Sequence, residues 1–257
     1  MFLFAEAEQE PLIVEFINHY LGTHIPWATI MFVIACLLTV ILVWILKGKL
    51  SEDDPSHGQL TVEAGYLAIK DLVINVIGET GYKYFPVLAT FAILILISNL
   101  MGMVPLFKSP TADTNVTYAL GLTSFIYFNY IGVKENGFWN YIKHFAGPKL
   151  PWYMFLITGL IFCIEIISTS IRPFTLGVRL FANMFADEQL SAQISALAPP
   201  YTQILIPVIL MPLGVFVAFV QTLVFTLLSM IYINLALPHG DHGHEEHGEA
   251  HAEPAHA

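Results

Sequence analysis

Residues 25–46 read IPWATIMFVIACLLTVILVWIL, and no charged residue interrupts them. An α-helix needs about 20 apolar residues to cross a hydrocarbon core, and this run supplies them. The composition agrees: 56% of the 257 residues are hydrophobic and 12% charged, where a soluble domain carries about a quarter charged. The apolar residues come in continuous blocks and do not alternate, which argues against an outer-membrane barrel. With no water to satisfy the backbone in lipid, such blocks must close their hydrogen bonds internally. The expected fold is an all-α integral membrane protein.

Working outward, Lys47 and Lys49 end the first span, and the polar loop SEDDPSHGQ follows. The next stretch, LTVEAGYLAIKDLVINVIGE, is apolar on one side only and includes Glu63, Lys70 and Asp71, so it reads as an interfacial or cytoplasmic helix. Further spans are expected near residues 84–107 (YFPVLATFAILILISNLMGMVPLF) and 116–133 (VTYALGLTSFIYFNYIGV). From Trp152 to Leu237 the chain is mostly apolar, broken only by the turn signal ALAPPYTQ with Pro199 and Pro200. That predicts two long helices, 152–197 and 201–237, tilted and paired as a hairpin because each exceeds an upright span. The expectation is about five transmembrane helices plus one interfacial helix. It divides the chain into an outer segment 1–24, a membrane domain 25–237 and a tail 238–257.

Lys47, Lys49, Lys70, Lys83, Lys134, Lys143 and Lys149 fall on one side of such a topology, and Lys108 alone on the other. The positive-inside rule then places the N-terminus outside and the C-terminus in the cytoplasm. The opening MFLFAEAEQE lacks the basic segment of a signal peptide, and its apolar start is short for one. The net charge of −10 comes from acid clusters at the N-terminus, at Glu52, Asp53 and Asp54, and in the tail, and no basic patch suits nucleic acid. Cys36 and Cys163 lie in separate apolar segments, where small apolar packing is their expected role.

The fourth span carries a polar line. Glu165, Ser168, Thr169, Arg172, Thr175, Arg179 and Asn183 recur at helical steps along one face. Such a line is expensive: one arginine at the centre of a spanning helix costs about 2.5–3.5 kcal/mol on insertion scales. Arg172 has Glu165 within reach for an internal pair, whereas helical spacing offers Arg179 no acid one turn away. An acidic partner on another chain, or a hydrated cavity, is therefore expected at Arg179. Glu188 lies nine residues beyond Arg179 and so on the opposite face, with Asp187 to the side. On the last helix Gln221 reads either as an interhelical hydrogen-bond residue or as part of a joint polar site with Arg179, while Tyr232 and Asn234 read as polar anchors near the cytoplasmic end.

The C-terminal HGDHGHEEHGEAHAEPAHA reads as a disordered tail. Weak metal binding through His239, His242, His244 and His247 is the alternative, since imidazole is a good ligand but no fixed spacing supports high affinity. NVT at 115–117 forms a glycosylation sequon that abuts a span, and chance explains it better than modification.

The stretch RPFTLGVRLFANMFADE resembles the signature of subunit a of the F-type ATP synthase, the stator half of its membrane proton channel. NLMGMVP, PTADTNVTYALGL and FVQTLVFTLLSMIYI resemble the family's other segments, so the likeness runs from about residue 80 to residue 237. The resemblance implies that Arg179 faces the essential carboxylate of a rotating c-ring. It implies that Asn183, Glu188 and Gln221 line the proton path, Glu165 and Ser168 its cytoplasmic half, and Asp113 and Asn115 the polar loop near the outer mouth. Gly214 stands where some members carry a histidine, so proton uptake is expected to rely on Glu188, Asp187 and water. Ala182 replaces a frequent glycine of the family. The implied partners are the c-ring, contacted through 152–197 and 201–237, b-type peripheral stalk subunits and the lipid of a bacterial plasma (inner) membrane. No cofactor and no catalytic residue are implied, and the ion is a proton, with sodium left open because its ligands lie largely on the ring. A secondary transporter of an anion or a metal is the other class, but internal repeats with matched broken helices are its usual mark, and the Arg179 segment has no second copy.

Overall fold

The computed structural model describes residues 12–22, 24–48, 57–104, 107–145, 155–196 and 201–237. Helices account for nearly all of them: α1 (Leu12–Leu21), α2 (Trp27–Gly48), α3 (His57–Ile77), α4 (Phe85–Met101), α5 (Thr114–Asn136), α6 (Phe138–Phe145), α7 (Phe155–Ala196) and α8 (Tyr201–Ala236). Short 3-10 turns at Glu79–Tyr84 and Pro110–Ala112 lead into α4 and α5. Among the described residues five segments are long and apolar enough to cross a membrane: Trp27–Ile45, Glu79–Met101, Thr114–Asn136, Gly159–Leu190 and Met211–Ala236. The all-α, five-span expectation stands.

The boundaries differ from the hydropathy reading in instructive ways. The second span stops as a helix at Met101 and not at 107, because Gly102 turns its N–H back onto the carbonyls of Asn99 and Leu100. The third extends to both sides of 116–133. Asp113 caps its start by accepting the Asn115 N–H at 2.8 Å, and Gly137 at φ 76° ends it in a conformation that favours glycine. Besides α3, the described residues form two further helices that do not span, α1 and α6, which hydropathy alone did not separate.

Three apolar clusters hold the bundle. One joins α3 to the adjoining ends of α4, α5 and α8 through Val73, Ile77, Leu88, Phe128, Met230 and Ile233. The central cluster places Phe91, Ile95, Leu120, Leu176, Leu180 and Phe225 together, so α4, α5, α7 and α8 meet there. The third packs Val14 of α1 against Met31 and Ala35 of α2 and Met101 of α4. At the α3 end, Lys83 reaches Glu135 at 2.7 Å and Tyr84 donates to the same oxygen at 3.1 Å. The pair is partly exposed and contributes little beyond orientation.

α7 runs for 42 residues and α8 for 36. Asn183 meets Gln221, while Arg172 meets Tyr232. Partner numbers fall on α8 as they rise on α7, so the two helices run antiparallel, as the hairpin expectation required. The α5–α7 crossing is closer than ordinary side chains permit. A Cβ on Gly121 would sit 2.7 Å from the Pro173 carbonyl oxygen, and one on Gly177 would sit 3.2 Å from the Thr117 carbonyl oxygen. Backbone cannot yield as a side-chain tip can. Gly121→Val should therefore destabilise the chain by about 1–3 kcal/mol or more, read as lower thermal stability in detergent. Gly65→Ala, at a position inside α3 with nothing within 4 Å, should not destabilise it and should raise its stability by up to about 1 kcal/mol through helix propensity.

Candidate functional site: the polar line of the fourth span

Packing leaves α7 the least covered of the spanning helices. Only 17% of its span window is buried, against 28–50% for the other four. Leu160, Ile164, Ile167, Ile171, Phe174 and Val178 all face outward. Arg179 lies on this outward surface, and among the described residues no hydrogen bond or ion pair reaches its guanidinium. On the other side of the helix, Leu176, Leu180 and Met184 are buried in the bundle.

The polar line divides once neighbours are present. Ser168 and Thr175 are exposed with Arg179, while Thr169 turns inward and is 6% exposed. Arg172 leaves the surface: its Nη2 lies 3.9 Å from Glu165 Oε1 and its guanidinium 5.3 Å over the Tyr232 ring. Internal pairing therefore accounts for Arg172 and not for Arg179. Tyr232 serves as a wall for this cation and is more than a surface anchor.

Gln221 is 2% exposed and accepts a hydrogen bond from Asn183 Nδ2, while its own Nε2 is buried without a partner among the described residues. The amide thus joins α7 to α8 through Asn183, one turn beyond Arg179. Asp187 and Glu188 are both half-buried, and Glu188 Oε1 is sealed from solvent. This agrees with the opposite-face placement that nine helical steps require. At Gly214 an added Cβ would lie 3.3 Å from Asp187 Oδ2 and 2.7 Å from Met103 Sδ. The side-chain space that glycine leaves open is thus filled by a methionine from the end of α4.

Asp113 spends one carboxylate oxygen as the cap of α5, and Asn115 is exposed beside it. A buried polar group nearby was not anticipated. Thr111 Oγ1 donates to Asn99 Oδ1 at 2.7 Å and lies 2.7 Å from Ser109 Oγ, and all three residues are at most 1% exposed. Ser98 Oγ and Asn99 Nδ2 have no partner there among the described residues, a setting that suits ordered water. Its only signal was the polar SN of ISNLMG within an apolar run. Among the described residues no group of three or more His, Cys, Asp or Glu side chains could hold a metal. The tail histidines lie outside the described residues.

A polytopic helical membrane protein with ionisable groups inside its spanning helices is the class this fold and site define. Ionisable residues in such positions are costly and are kept for ion paths or partners. The family model described as ATP synthase A chain matches residues 29–234, and the chain belongs to that family. Its relatives include the ATP synthase subunit a of Solibacter usitatus, 38% identical over 216 residues, which are 83% of this chain and 89% of that protein. That of Aquifex aeolicus is 37% identical over 218 residues, covering 82% and 98%. That of Geobacter sulfurreducens is 40% identical over 205 residues, covering 80% and 84%.

The Asn183–Gln221 bond is a coupled unit. Gln221→Leu and Asn183→Leu should each lower stability by about 1–3 kcal/mol. The double variant should cost less than the sum, as unfolding of the detergent-solubilised protein would measure.

Proposed function

We propose that this chain is the proton-conducting stator subunit of the membrane sector of an ATP synthase, with Arg179 facing the carboxylates of a rotating ring of separate subunits. Family membership supports the general role. The observation that carries the finer one is the exposed, unpartnered guanidinium on the least covered spanning helix. In lipid such a charge has to meet an anion or water, and this chain supplies no anion to it among the described residues.

A ring carboxylate that faces lipid is stable only when protonated. Beside Arg179 the opposite charge favours its ionised form. Arginine suits this position because it stays protonated and cannot relay protons itself. A proton arriving from outside passes along Glu188, Asp187, Asn183 and Gln221, with Asp113 and Asn115 near the outer mouth, and neutralises one ring site. That site moves into lipid. The site approaching Arg179 from the other side releases its proton towards Glu165 and Ser168. Arg179 between the two paths blocks a direct leak, and the membrane potential contributes about 2.3 kcal/mol per charge per 100 mV to the bias.

The lysine distribution supports an outer N-terminus and a cytoplasmic C-terminus, with residues 1–24 outside, 25–237 in the membrane and 238–257 as a cytoplasmic tail. Peripheral stalk subunits would hold the chain against the torque of the ring. The large aliphatic face of α7 around Arg179 is the surface offered to the ring.

Arg179→Ala should abolish proton-driven ATP synthesis in membrane vesicles that hold normal amounts of the assembled complex; unimpaired ATP-driven pumping by that variant would overturn the proposal. Glu188→Gln should slow passive proton conduction while leaving assembly intact, and an unchanged flux would remove Glu188 from the path.

A further inference from the structure

At the end of the bundle where Lys83 meets Glu135, a cavity of about 70 Å³ opens between Phe128, Tyr141, Glu165, Thr169, Arg172 and Tyr232. A water needs about 10–15 Å³, so several fit. Three spanning helices, α5, α7 and α8, supply every one of these walls except Tyr141. That residue comes from the short non-spanning helix α6.

Tyr141 is held from two directions. Its hydroxyl donates to Asn129 Oδ1 at 3.0 Å. Its ring fills the notch above Gly132, where an added Cβ would lie 2.8 Å from Cζ and closer still to Cε2. Elsewhere on α6, Phe138 and Trp139 are 57% and 73% exposed, the kind of aromatic pair that settles at a membrane–water boundary. Burial pushes the Tyr141 phenol above its ordinary range, and the Arg172 charge partly opposes that. The phenol therefore stays protonated at neutral pH, and it shares the cavity wall with the Arg172 guanidinium.

We propose that Tyr141 is a positioning residue for proton release: it walls the cavity on the α6 side and keeps Arg172 turned onto Glu165 and Tyr232, away from the surface that carries Arg179. The physical need is plain. Arg172 and Arg179 are two turns apart, about 10.5 Å along the helix, and a second free cation on the outer face would compete for the same ring carboxylate. Walling Arg172 inside leaves Arg179, among the described residues, as the unpaired positive charge on that face. It also gives Glu165 and Thr169 a hydrated chamber in place of lipid. This inference rests on the proton-path reading above.

The test uses the assembled synthase in inverted vesicles with Cys36→Ser and Cys163→Ser, and Thr169→Cys as a reporter on the cavity wall. Three variants probe the ring of Tyr141: Tyr141→Phe keeps it, Tyr141→Ala deletes it, and Gly132→Ala evicts it from another helix. A membrane-impermeant methanethiosulfonate added at the α6 face should label Thr169→Cys, and several-fold faster in Tyr141→Ala and Gly132→Ala. In those two variants ATP-driven pumping should fall about tenfold to a hundredfold, the scale of an ångström-level misplacement. Tyr141→Phe should restore both readouts to near the parent values, which a general loss of folding would not. A reporter that stays unlabelled in every background would overturn the proposal, as would full pumping in both Tyr141→Ala and Gly132→Ala. Arg179→Ala, measured alongside, separates the two readings. Retained pumping there removes the ring mechanism itself, whereas lost pumping with indifferent Tyr141 variants removes only the role of Tyr141.

Discussion

One guanidinium, without a partner among the described residues, sets the terms for this molecule. Arg179 sits within a span of 32 residues, on the side of α7 that the bundle leaves open. A fixed charge at that depth is tolerated only against water or an opposite charge. Every other ionisable group near it has been placed so as not to satisfy it. Arg172 takes Glu165 for itself, and Asp187 and Glu188 turn towards the rest of the bundle.

Keeping those groups apart requires a rigid helix pair. α7 and α8 are both longer than a perpendicular span needs, and their antiparallel register brings Asn183 to Gln221 and Asp187 to Gly214. The register is fixed from behind by α5, whose Gly121 lets the Pro173 carbonyl come into contact, and by the central cluster of Phe91, Leu120, Leu176, Leu180 and Phe225. Pro173 itself lacks an N–H to donate within the helix, so its neighbourhood benefits from external packing. The apolar core therefore acts on function through rotation: a small turn of α7 would carry Asp187 or Glu188 towards the arginine face.

The two ends of the helix pair differ in kind. One end gathers amides and acids, with Asn183, Gln221 and Asp187 near the Met103 side chain that occupies the space over Gly214. The other gathers a paired cation, a carboxylate and two tyrosine rings around a small cavity. Gln221 and Thr169 face inward at the two ends, whereas Asn183 stays exposed one turn beyond Arg179 and the Glu165 side chain remains 44% exposed.

By itself the sequence determined the membrane class, the number of spans, the isolation of Arg179 and the opposed direction of Glu188. All of these follow from hydropathy and from the 100° step within one helix, which are local properties. Tertiary structure alone decided that Thr169 and not Ser168 faces the cavity, that Gln221 bonds Asn183 and not Arg179, that Met103 fills the Gly214 notch, and that Tyr141 closes the far wall. Helix α6 and the early end of α4 at Met101 belong with these, since hydropathy sees neither a short amphipathic turn nor a glycine cap inside an apolar run. The physical reason is that pairing between helices depends on their relative rotation and rise. Those are set by contacts such as Gly121 with Pro173, between residues distant in the chain, and no periodicity within a single helix encodes them.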